Sequence, residues 1–352
     1  MLNCDILIVG AGPAGSSAAL YATKYGAKVL LIEKKRFIGE PVQCAEFIPK
    51  LILSELEISR DSIVQGTKGM RTYLPNGECV ESCLPGYVIN RSMFDKELAK
   101  KAADDGAEVR INTLCGLKKG EKIFIKENGK KELIIPKVII GADGPKSTVG
   151  KWINSVNREF IIGIQHSVPL VSPLDFIEVY FDQDFFGGYG WLFPKDKSAN
   201  VGIGIRCDSK IKAGKSLGDI LNKFVKLLEK DGKVENSPFF TTSGLIPVGG
   251  PLNTVKDNIM LVGDAAGQTN PITGGGIAQA VICGKIAGKI AAQAIQKEDI
   301  EMLNDYENEW REIFGKPLER AQAKRQFLES NWNQLDKIII KCWTAFREYY
   351  YE

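Results

Sequence analysis

The chain of 352 residues exceeds the length that one compact core usually holds, so we expect two domains or one domain with appendages. Apolar residues make up 44% and charged residues 25%, as in ordinary globular proteins, and a net charge of +3 is too small to indicate a nucleic-acid partner. No apolar run reaches about eighteen residues without glycine or charge, which argues against a membrane-spanning segment.

Residue usage further restricts the chemistry and the location. The sequence begins with a strand-like segment rather than a signal peptide, so its eight cysteines suggest reduced thiols and a cytoplasmic protein. Cys79 and Cys83 lack the spacing of a zinc site, and His166 is the single histidine. We therefore expect no metal site, and we expect His166 to have a structural role in a strand.

The first elements are predicted to form a βαβ unit, with strands over residues 5–9 and 28–33 and a helix over residues 16–25. The first strand runs directly into the pattern G-x-G-x-x-G, which is formed by Gly10, Gly12 and Gly15. In this pattern the first glycine permits a tight turn, the second admits a pyrophosphate and the third lets the helix pack closely. The helix N-terminus then offers unpaired N–H groups to the phosphates.

Glu33 ends the second strand, where its carboxylate would accept hydrogen bonds from ribose hydroxyls. An acid rather than an arginine at this position argues against a ribose 2′-phosphate. The βαβ unit therefore predicts a dinucleotide site in which NADP is disfavoured.

The next part of the chain is predicted to alternate hairpins, helices and strands. The predicted elements are a helix over residues 51–56, a hairpin of residues 70–74 and 79–84, a helix over residues 92–105 capped by Ser92, a strand over residues 107–114, a hairpin of residues 122–125 and 131–134, and a strand over residues 138–140. The segment Gly141-Ala142-Asp143-Gly144 follows the last of these strands.

Residues 160–206 differ in character, because short alternating segments suggest a mixed or antiparallel sheet. The predicted elements from here to the end are strands over residues 160–170, 177–181, 189–193 and 201–205, an amphipathic helix over residues 217–228, a strand over residues 259–262, a helix over residues 277–295 in which Gly284 and Gly288 permit close backbone approach, and a helical tail broken at Pro317 and resumed over residues 327–350.

Three separated turns indicate a flavin rather than a nicotinamide. Besides the first βαβ unit, Asp143-Gly144 and Gly263-Asp264 each follow an apolar strand, and the second pair precedes Gly274-Gly275-Gly276 and a helix. An acid after the late strand can hold ribityl hydroxyls, and a glycine backbone can approach a ring system. A nicotinamide enzyme with one Rossmann unit needs no second Gly-Asp turn near its end.

The predicted fold class is therefore α/β, with a Rossmann-like FAD-binding domain, an inserted mixed or antiparallel sheet domain for the substrate, and a helical C-terminal tail. The FAD-binding domain is discontinuous because its early and late strands must join one sheet. The predicted boundaries are residues 1–69, 88–158 and 258–298 for the FAD-binding domain, 70–87 and 159–257 for the substrate domain, and 299–352 for the tail.

The ordered set of three fingerprints resembles the FAD-dependent oxidoreductases built like p-hydroxybenzoate hydroxylase. Within that superfamily the chain resembles the geranylgeranyl reductase family, which saturates isoprenoid double bonds, including those of archaeal membrane lipids. The narrower resemblance is carried by Pro41-Val42-Gln43-Cys44, by Arg91 with Phe94-Asp95, and by Tyr189, Trp191, Phe193 and Pro194 of the family motif P-x-x-Y-x-W-x-F-P. Phe186 stands where that motif begins with proline, and Ala45 stands where glycine is more usual after the cysteine.

The resemblance implies an FAD cofactor and a set of residues around it. The implied cofactor-binding residues are Gly10, Gly12, Ala14, Gly15, Glu33, Cys44, Ala45, Arg91, Asp143, Gly144, Gly263, Asp264, Pro271, Gly274, Gly275, Gly276 and Ile277. Cys44, Tyr189 and Trp191 are the predicted catalytic residues. For Cys44 the alternatives are a role in proton delivery beside the ring and a packing role. Arg91 either bonds the flavin or forms a surface salt bridge to Asp95.

A long apolar substrate can be held only by an apolar, aromatic channel. Tyr189, Trp191 and Phe193 alternate along a strand and so share one face. Our hypothesis is that this face and Phe186 line the isoprenoid channel. The alternative is an ordinary aromatic core face.

The predicted function is FAD-dependent reduction of geranylgeranyl double bonds, and the alternatives are a flavin monooxygenase of the same fold and a non-catalytic FAD and lipid carrier. A second Rossmann fingerprint is lacking, so the electron donor is left open among NAD(P)H, ferredoxin and others. The aromatic tail over residues 338–351 either contacts a membrane surface or packs on its own domain.

Overall fold

A computed structural model describes residues 4–56, 58–207 and 216–351 of the chain. The strands within these ranges are β1 Ile6–Val9, β2 Val29–Ile32, β3 Phe47–Pro49, β4 Ile63–Thr67, β5 Gly69–Tyr73, β6 Cys79–Ser82, β7 Gly86–Ile89, β8 Glu108–Arg110, β9 Thr113–Lys119, β10 Lys122–Glu127, β11 Lys130–Ile134, β12 Val138–Gly141, β13 Phe160–Pro169, β14 Phe176–Tyr180, β15 Gly190–Lys195, β16 Ser198–Arg206, β17 Phe240–Pro247, β18 Val255–Lys256 and β19 Ile259–Leu261. The α-helices are α1 Pro13–Lys24, α2 Arg91–Asp104, α3 Thr148–Trp152, α4 Leu217–Lys230, α5 Ile277–Gln296, α6 Asn304–Ser330 and α7 Leu335–Cys342.

The first sheet has the strand order β18-β19-β12-β1-β2-β8, and every pairing except that of β18 with β19 is parallel. Its central strands are continuous buried aliphatic runs because both faces are covered. Helices α1 and α5 pack on one face, and the antiparallel sheet of β9, β10 and β11 packs on the other. The predicted Rossmann-like α/β architecture is confirmed.

Helices α1 and α5 are in backbone contact at Gly284 and Gly288, the two glycines that were expected to permit a close backbone approach. A Cβ atom at Gly284 would lie 2.3 Å from the Ala14 carbonyl oxygen, and one at Gly288 would lie 2.1 Å from that of Ala18. Both distances are far below van der Waals contact, so only glycine fits at these two positions. The contact holds α5 against the helix that follows the G-x-G-x-x-G turn.

Replacing Gly288 by valine should therefore destabilise the protein by about 3 kcal/mol, because a backbone carbonyl cannot yield as a side chain can. We expect the melting temperature to fall by about 4 °C in a thermal-unfolding measurement. Gly218→Ala in α4 is the control, since the nearest atom of the described residues to a Cβ there is the Ser216 Oγ at 3.6 Å. Equal melting temperatures for the two variants would contradict the packing described here.

The second large sheet has the order β17-β13-β16-β15-β14-β5-β6 and is antiparallel except for the parallel pairing of β5 with β14. The predicted mixed sheet is thus confirmed. One face packs against α4, whose capping box of Ser216 and Asp219 satisfies its first turn. The other face carries Trp191 and Phe193 and is covered by the last part of the chain.

The predicted helix break at Pro317 is wrong, because α6 continues through this residue. Proline removes one helical hydrogen bond at a cost of about 3 kcal/mol. The helix is nevertheless held on both sides of Pro317 by buried side chains, with Tyr306 and Trp310 before it and Leu318 after it. Tertiary packing therefore outweighs the local preference.

Three other predicted boundaries are corrected. Helix α2 begins at Arg91, and the side chain of Asn90 rather than Ser92 caps it by accepting the N–H of Met93 at 3.1 Å. The strand predicted over residues 107–114 is divided into β8 and β9 by a turn in which Asn112 has a φ of +51°. The helix predicted over residues 327–350 ends at Ser330 and is replaced by α7 and short 3₁₀ turns.

The tail packs on its own protein, which was one of the two alternatives. Ile338, Ile339, Cys342 and Trp343 are buried against the second large sheet. Tyr350 and Tyr351 at the end of the described chain are exposed. None of the helices in the three described ranges is both long and apolar enough to cross a bilayer.

Candidate active site

The three glycine-and-acid turns meet at one edge of the first sheet. Strands β1, β12 and β19 are neighbours, with Val9 paired to Gly141 and Gly141 paired to Leu261. Their carboxyl ends are thus level, and the turns that follow them lie side by side. This edge is where parallel α/β sheets bind ligands.

The first turn leaves its backbone open to a ligand. Gly10 has a φ of +103°, and a Cβ at Gly15 would lie 1.8 Å from the Gly10 carbonyl oxygen, so both positions require glycine. Gly12 caps α1, and a Cβ there would meet no atom within 4 Å. The loop therefore presents free backbone to a phosphate at the start of a helix.

Glu33 faces this loop. Its carboxylate accepts the N–H of Ala11 at 2.9 Å and the N–H of Lys35 at 2.9 Å, and the residue is buried. These two hydrogen bonds orient the Glu33 carboxylate beside the Gly10-Gly12-Gly15 turn. Each carboxylate oxygen retains a further lone pair that could accept a ligand hydroxyl.

Asp143 has a local structural role at the start of α3. One oxygen accepts the Ser147 hydroxyl at 2.5 Å, and the other accepts the N–H groups of Thr148 at 2.6 Å and Val149 at 3.3 Å. The carboxylate therefore satisfies the first turn of α3. Its contact with a cofactor stays a prediction. Gly144 has open space at the position of a Cβ.

Asp264 lies beside the start of α5. Its carboxylate accepts the Thr269 hydroxyl at 2.7 Å, and a Cβ at Gly276, the residue that caps α5, would lie 3.4 Å from the Asp264 Oδ1. Burial raises the pKa of the Asp264 carboxyl, while the Thr269 hydroxyl and the charge of Arg91 act in the opposite direction. Gly263 lies between α1 and α5, and a Cβ there would lie 3.0 Å from the Ala14 Cβ.

The glycine-rich loop before α5 is held by its own side chains. The Asn270 Oδ1 accepts the N–H groups of Ile272 at 2.9 Å and Thr273 at 3.0 Å. Gly274 has a φ of +67°, which glycine adopts without strain. Pro271, Gly275, Gly276 and Ile277 complete the passage into the helix, whose N-terminal N–H groups suit a group with negative charge.

Cys44 lies in the loop after β2, next to Arg91. The Sγ accepts the N–H of Glu46 at 3.2 Å. Burial raises the pKa of the Cys44 thiol, and the Arg91 guanidinium and the Glu46 N–H lower it in part. The net direction is upward, so the thiol remains protonated over a wide range of pH.

Arg91 forms the ion pair that was one of its two alternatives, although the pair is not on the surface. The guanidinium donates to both carboxylate oxygens of Asp95 at 3.0 Å, and the two side chains are 16% and 8% exposed. The charge of Arg91 acts to lower the pKa of the Cys44 thiol and that of the Asp264 carboxyl in the late Gly-Asp turn.

The aromatic residues form one wall, which is packed against the tail. Trp191 and Phe193 are buried on the same face of β15, and Leu192 between them faces α4. The Tyr189 ring lies 6.1 Å from that of Trp191 and 5.1 Å from that of Trp343. The predicted alternation is confirmed, and Phe186 joins the same cluster through a contact with Trp332 at 5.4 Å.

A small cavity connects this wall with the glycine-rich loop. Its lining includes Tyr189, Trp191, Thr273, Gly274 and Arg325, and the space open to a water-sized sphere is about 30 Å³. The Tyr189 hydroxyl donates to the Thr273 carbonyl oxygen at 2.5 Å, so the wall and the loop are joined directly.

Arg325 of α6 also ties these two parts together and was not foreseen. Its guanidinium donates to the carbonyl oxygens of Pro271 and Gly187, both at 2.6 Å, and pairs with Glu329 at 2.8 Å. The Arg325 Nε is buried at the cavity lining and has no hydrogen-bond partner among the residues that the structure describes. In the sequence Arg325 is one of several cations on a charged helix, and no local pattern separates it from its exposed neighbours.

Gln165 is a second residue that the pattern did not reveal. The Trp191 Nε1 donates to the Gln165 Oε1 at 3.1 Å, and the Gln165 Nε2 donates to the Cys44 carbonyl oxygen at 3.1 Å. The aromatic wall and the Cys44 loop are therefore bridged by one buried amide. The nearby His166 instead bonds the Thr241 hydroxyl at 2.8 Å, away from this bridge.

Comparison with known proteins agrees with this arrangement. Residues 5–40 match the model of FAD-dependent oxidoreductases, and residues 162–239 match that of the geranylgeranyl reductase catalytic domain. A digeranylgeranylglycerophospholipid reductase of Methanococcus vannielii is 39% identical, and the similarity covers 95% of this chain and 89% of that protein. The chain belongs to the geranylgeranyl reductase family.

Further relatives and solved structures are similar to this chain to different degrees. The digeranylgeranylglycerophospholipid reductase of Methanocaldococcus jannaschii is 39% identical over 92% of this chain and 86% of its own length. A crystal structure of a geranylgeranyl bacteriochlorophyll reductase-like protein from Thermoplasma acidophilum is 32% identical, with a TM-score of 0.86 over 97% of this chain and 92% of that one. A flavin-dependent brominase, 19% identical with a TM-score of 0.74, shares the fold.

The enzyme is thus an FAD-dependent oxidoreductase of the geranylgeranyl reductase type. The residues present fit this cofactor. Open backbone at Gly12 and Gly144 leaves room for a close ligand, and the half-buried carboxylate of Asp264 lies beside the start of the twenty-residue helix α5. The cofactor prediction made from the three turns is therefore confirmed.

Proposed function

We propose that this protein saturates carbon–carbon double bonds of geranylgeranyl chains in membrane lipids or their precursors, using bound FAD. The observation that carries the proposal is the cavity in which the aromatic wall of Tyr189 and Trp191 adjoins the glycine-rich loop at Thr273 and Gly274. An apolar substrate would be gripped by that wall at the loop expected to hold the flavin ring. The names of the Methanococcus vannielii and Methanocaldococcus jannaschii relatives, both digeranylgeranylglycerophospholipid reductases, support the same substrate class.

The proposed cofactor contacts are divided between two ends of the site. The dinucleotide end would use the Gly10-Gly12-Gly15 turn with Ala14, and Glu33 would accept ribose hydroxyls. The ring end would use Gly263 and Asp264, the loop from Pro271 to Ile277, and the side of the Cys44-Ala45 loop that faces Arg91. Asp143 and Gly144 would border the passage between the two ends.

The chemistry requires a hydride on one carbon of the double bond and a proton on the other. Reduced FAD supplies the hydride when it is bound. We assign the proton to the Cys44 thiol, which burial keeps neutral and which Arg91 and the Glu46 N–H would stabilise as a thiolate after the transfer. The thiolate would then recover a proton from water.

Trp191 and Tyr189 have a positioning role in this proposal. The reacting carbons must be held near the proton donor, and a displacement of about 1 Å can cost about a hundredfold in rate. Trp191 is linked to the Cys44 carbonyl through Gln165, and Tyr189 is linked to the loop through Thr273. Both sides of the reacting bond would thus be located by the same two aromatic residues, with Phe186 and Phe193 extending the wall.

The decisive experiment reduces the bound flavin without oxygen, adds a geranylgeranyl lipid and examines the products by mass spectrometry. We expect products heavier by two hydrogens for each double bond reduced, together with reoxidation of the flavin. A hydroxylated product that forms only after oxygen is admitted would instead identify a monooxygenase. A flavin that stays reduced, with unchanged lipid, would identify a carrier.

A further inference from the structure

The residue that follows the Cys44-Ala45 pair, Glu46, has an unusual combination of backbone and side chain. It is a non-glycine residue with a φ of +71°, and it is 2% exposed. This region of backbone space disfavours a residue with a Cβ, whereas glycine adopts it freely. A strained, buried acid directly beside a candidate proton donor calls for a compensating set of contacts.

The Glu46 carboxylate has three donors that come from different parts of the fold. Its Oε1 accepts the N–H of Arg91 at 2.9 Å, at the first turn of α2. Its Oε2 accepts the Lys195 ammonium at 2.6 Å and the Asn200 amide at 2.9 Å. Lys195 ends β15, the strand that carries Trp191, and Asn200 lies in the neighbouring β16.

These contacts fix the backbone on both sides of Glu46. Its own N–H is directed at the Cys44 Sγ, and its carbonyl oxygen accepts the N–H of Ile89. The amide of Asn200 reaches the Ala45 carbonyl oxygen as well, at 3.4 Å. The short segment that presents the thiol is therefore fastened to α2 and to the aromatic sheet through one carboxylate.

We propose that Glu46 is a positioning residue, which locates the Cys44 thiol relative to Arg91 and to the aromatic wall of the second sheet. The inference rests on the proposed function, because it assigns Glu46 to the same reacting centre. Glu46 does not contact the reacting carbons in this assignment and acts through Cys44. Its charge adds a second effect, since the Glu46 carboxylate raises the pKa of Cys44 while the guanidinium of Arg91 lowers it.

The test compares E46Q with the parent protein, both loaded with FAD. A glutamine would turn its amide N–H₂ group toward Lys195 or toward the Arg91 N–H. Both of these groups are donors, so the amide N–H₂ could not replace the carboxylate oxygen as their acceptor. We expect iodoacetamide to alkylate Cys44 about tenfold faster in E46Q at a given pH, because the segment is released and because loss of the Glu46 charge lowers the pKa of Cys44 and so increases its thiolate fraction. Mass spectrometry of the Cys44 peptide measures the rate.

The same mass-spectrometry measurement includes an internal control, the peptides that contain Cys115 and Cys283. Cys115 and Cys283 are buried elsewhere, and a merely structural role for Glu46 would speed their alkylation as much as that of Cys44. E40Q is the matched variant, because Glu40 precedes Cys44 in the same loop and pairs with Lys96 in a half-exposed ion pair. We expect E40Q to leave the Cys44 rate unchanged.

E46G is a second variant that keeps the inference testable if E46Q folds poorly. Glycine accepts the backbone angle without strain, so the fold is retained while the carboxylate is lost. Faster alkylation of Cys44 alone in either variant supports the proposal, and an unchanged Cys44 rate, or a parallel rise at Cys115 and Cys283, overturns it. Alkylation needs no lipid, so it is read independently of the proposed function, whose own failure would appear as an absence of product from the parent enzyme.

Discussion

Replacement of Cys44 by alanine should slow the reduction of geranylgeranyl lipid by about a hundredfold, because a positioned general acid contributes about 10² to 10⁴ in rate. FAD binding should change little, since the open glycine turns and Asp264 remain intact. Single-turnover measurements on pre-reduced enzyme would separate the two effects by following flavin reoxidation after lipid is added.

The pH profile gives a second signature of the same group. A proton donor acts only in its protonated form, so the rate should fall as the pH rises through the Cys44 pKa. Burial raises that pKa above the ordinary thiol value, which places the fall on the alkaline side. In Cys44→Ala this limb should disappear from the residual rate.

Cys79→Ala provides the control, because Cys79 is an exposed thiol in β6, on the edge strand of the second sheet. It should retain the parent rate and pH profile. If Cys44→Ala turned over lipid at the parent rate, the thiol would have a packing role only, which was the alternative that the sequence left open.

Replacement of Trp191 by alanine should reduce lipid turnover by about a hundredfold through loss of positioning at the cavity. The indole is buried, so the variant also loses about 3–5 kcal/mol of stability. Trp191→Phe is a milder form that keeps an aromatic ring and removes the hydrogen bond to Gln165. Turnover, FAD content and melting temperature should be measured for both.

Leu192→Ala is the matched control, because Leu192 is the next residue of β15 and is buried on the opposite face against α4. It should lower the melting temperature while leaving turnover and FAD content of the folded protein near the parent values. If Trp191→Ala lost FAD and stability together with no separate effect on turnover, the wall would be an ordinary aromatic core.

The convergence of the three turns could be predicted because it depends on local patterns. Each turn follows a short buried strand, and the carboxyl ends of neighbouring parallel strands lie at one edge of their sheet. The alternation of Tyr189, Trp191 and Phe193 was predictable for the same reason, since side chains on a strand repeat every second residue.

The contacts made by the C-terminal part could not be predicted in this way. Arg325 joins Pro271 to Gly187 across the cavity, and Trp343 packs on Tyr189 about 150 residues away in sequence. Such pairings depend on how separate elements dock, and single-sequence periodicity carries no information about docking. The continuation of α6 through Pro317 likewise depends on tertiary packing, which a local sequence pattern does not reveal.

Asp143 represents an intermediate case. The hydroxyl residues Ser147 and Thr148 follow it at the start of a helix, and this spacing is typical of side-chain capping. The resemblance to a cofactor fingerprint predicted that Asp143 binds the cofactor. In the structure its carboxylate accepts hydrogen bonds from the first turn of α3. One residue can both cap a helix and bind a cofactor. For Asp143 the hydrogen bonds to Ser147, Thr148 and Val149 reveal the first of these roles.

The indole of Trp191 packs over three glycines of the neighbouring strands. Gly163, Gly202 and Gly204 lie beneath it on β13 and β16, and a Cβ at Gly202 would come within 2.3 Å of the Trp191 Cζ2. The tilt of the ring is thus determined by glycines that lie beneath it on the same face of the sheet. A methyl group added at Gly202 would clash with the indole and displace it, so the position of Trp191 at the cavity depends on a residue outside the cavity lining.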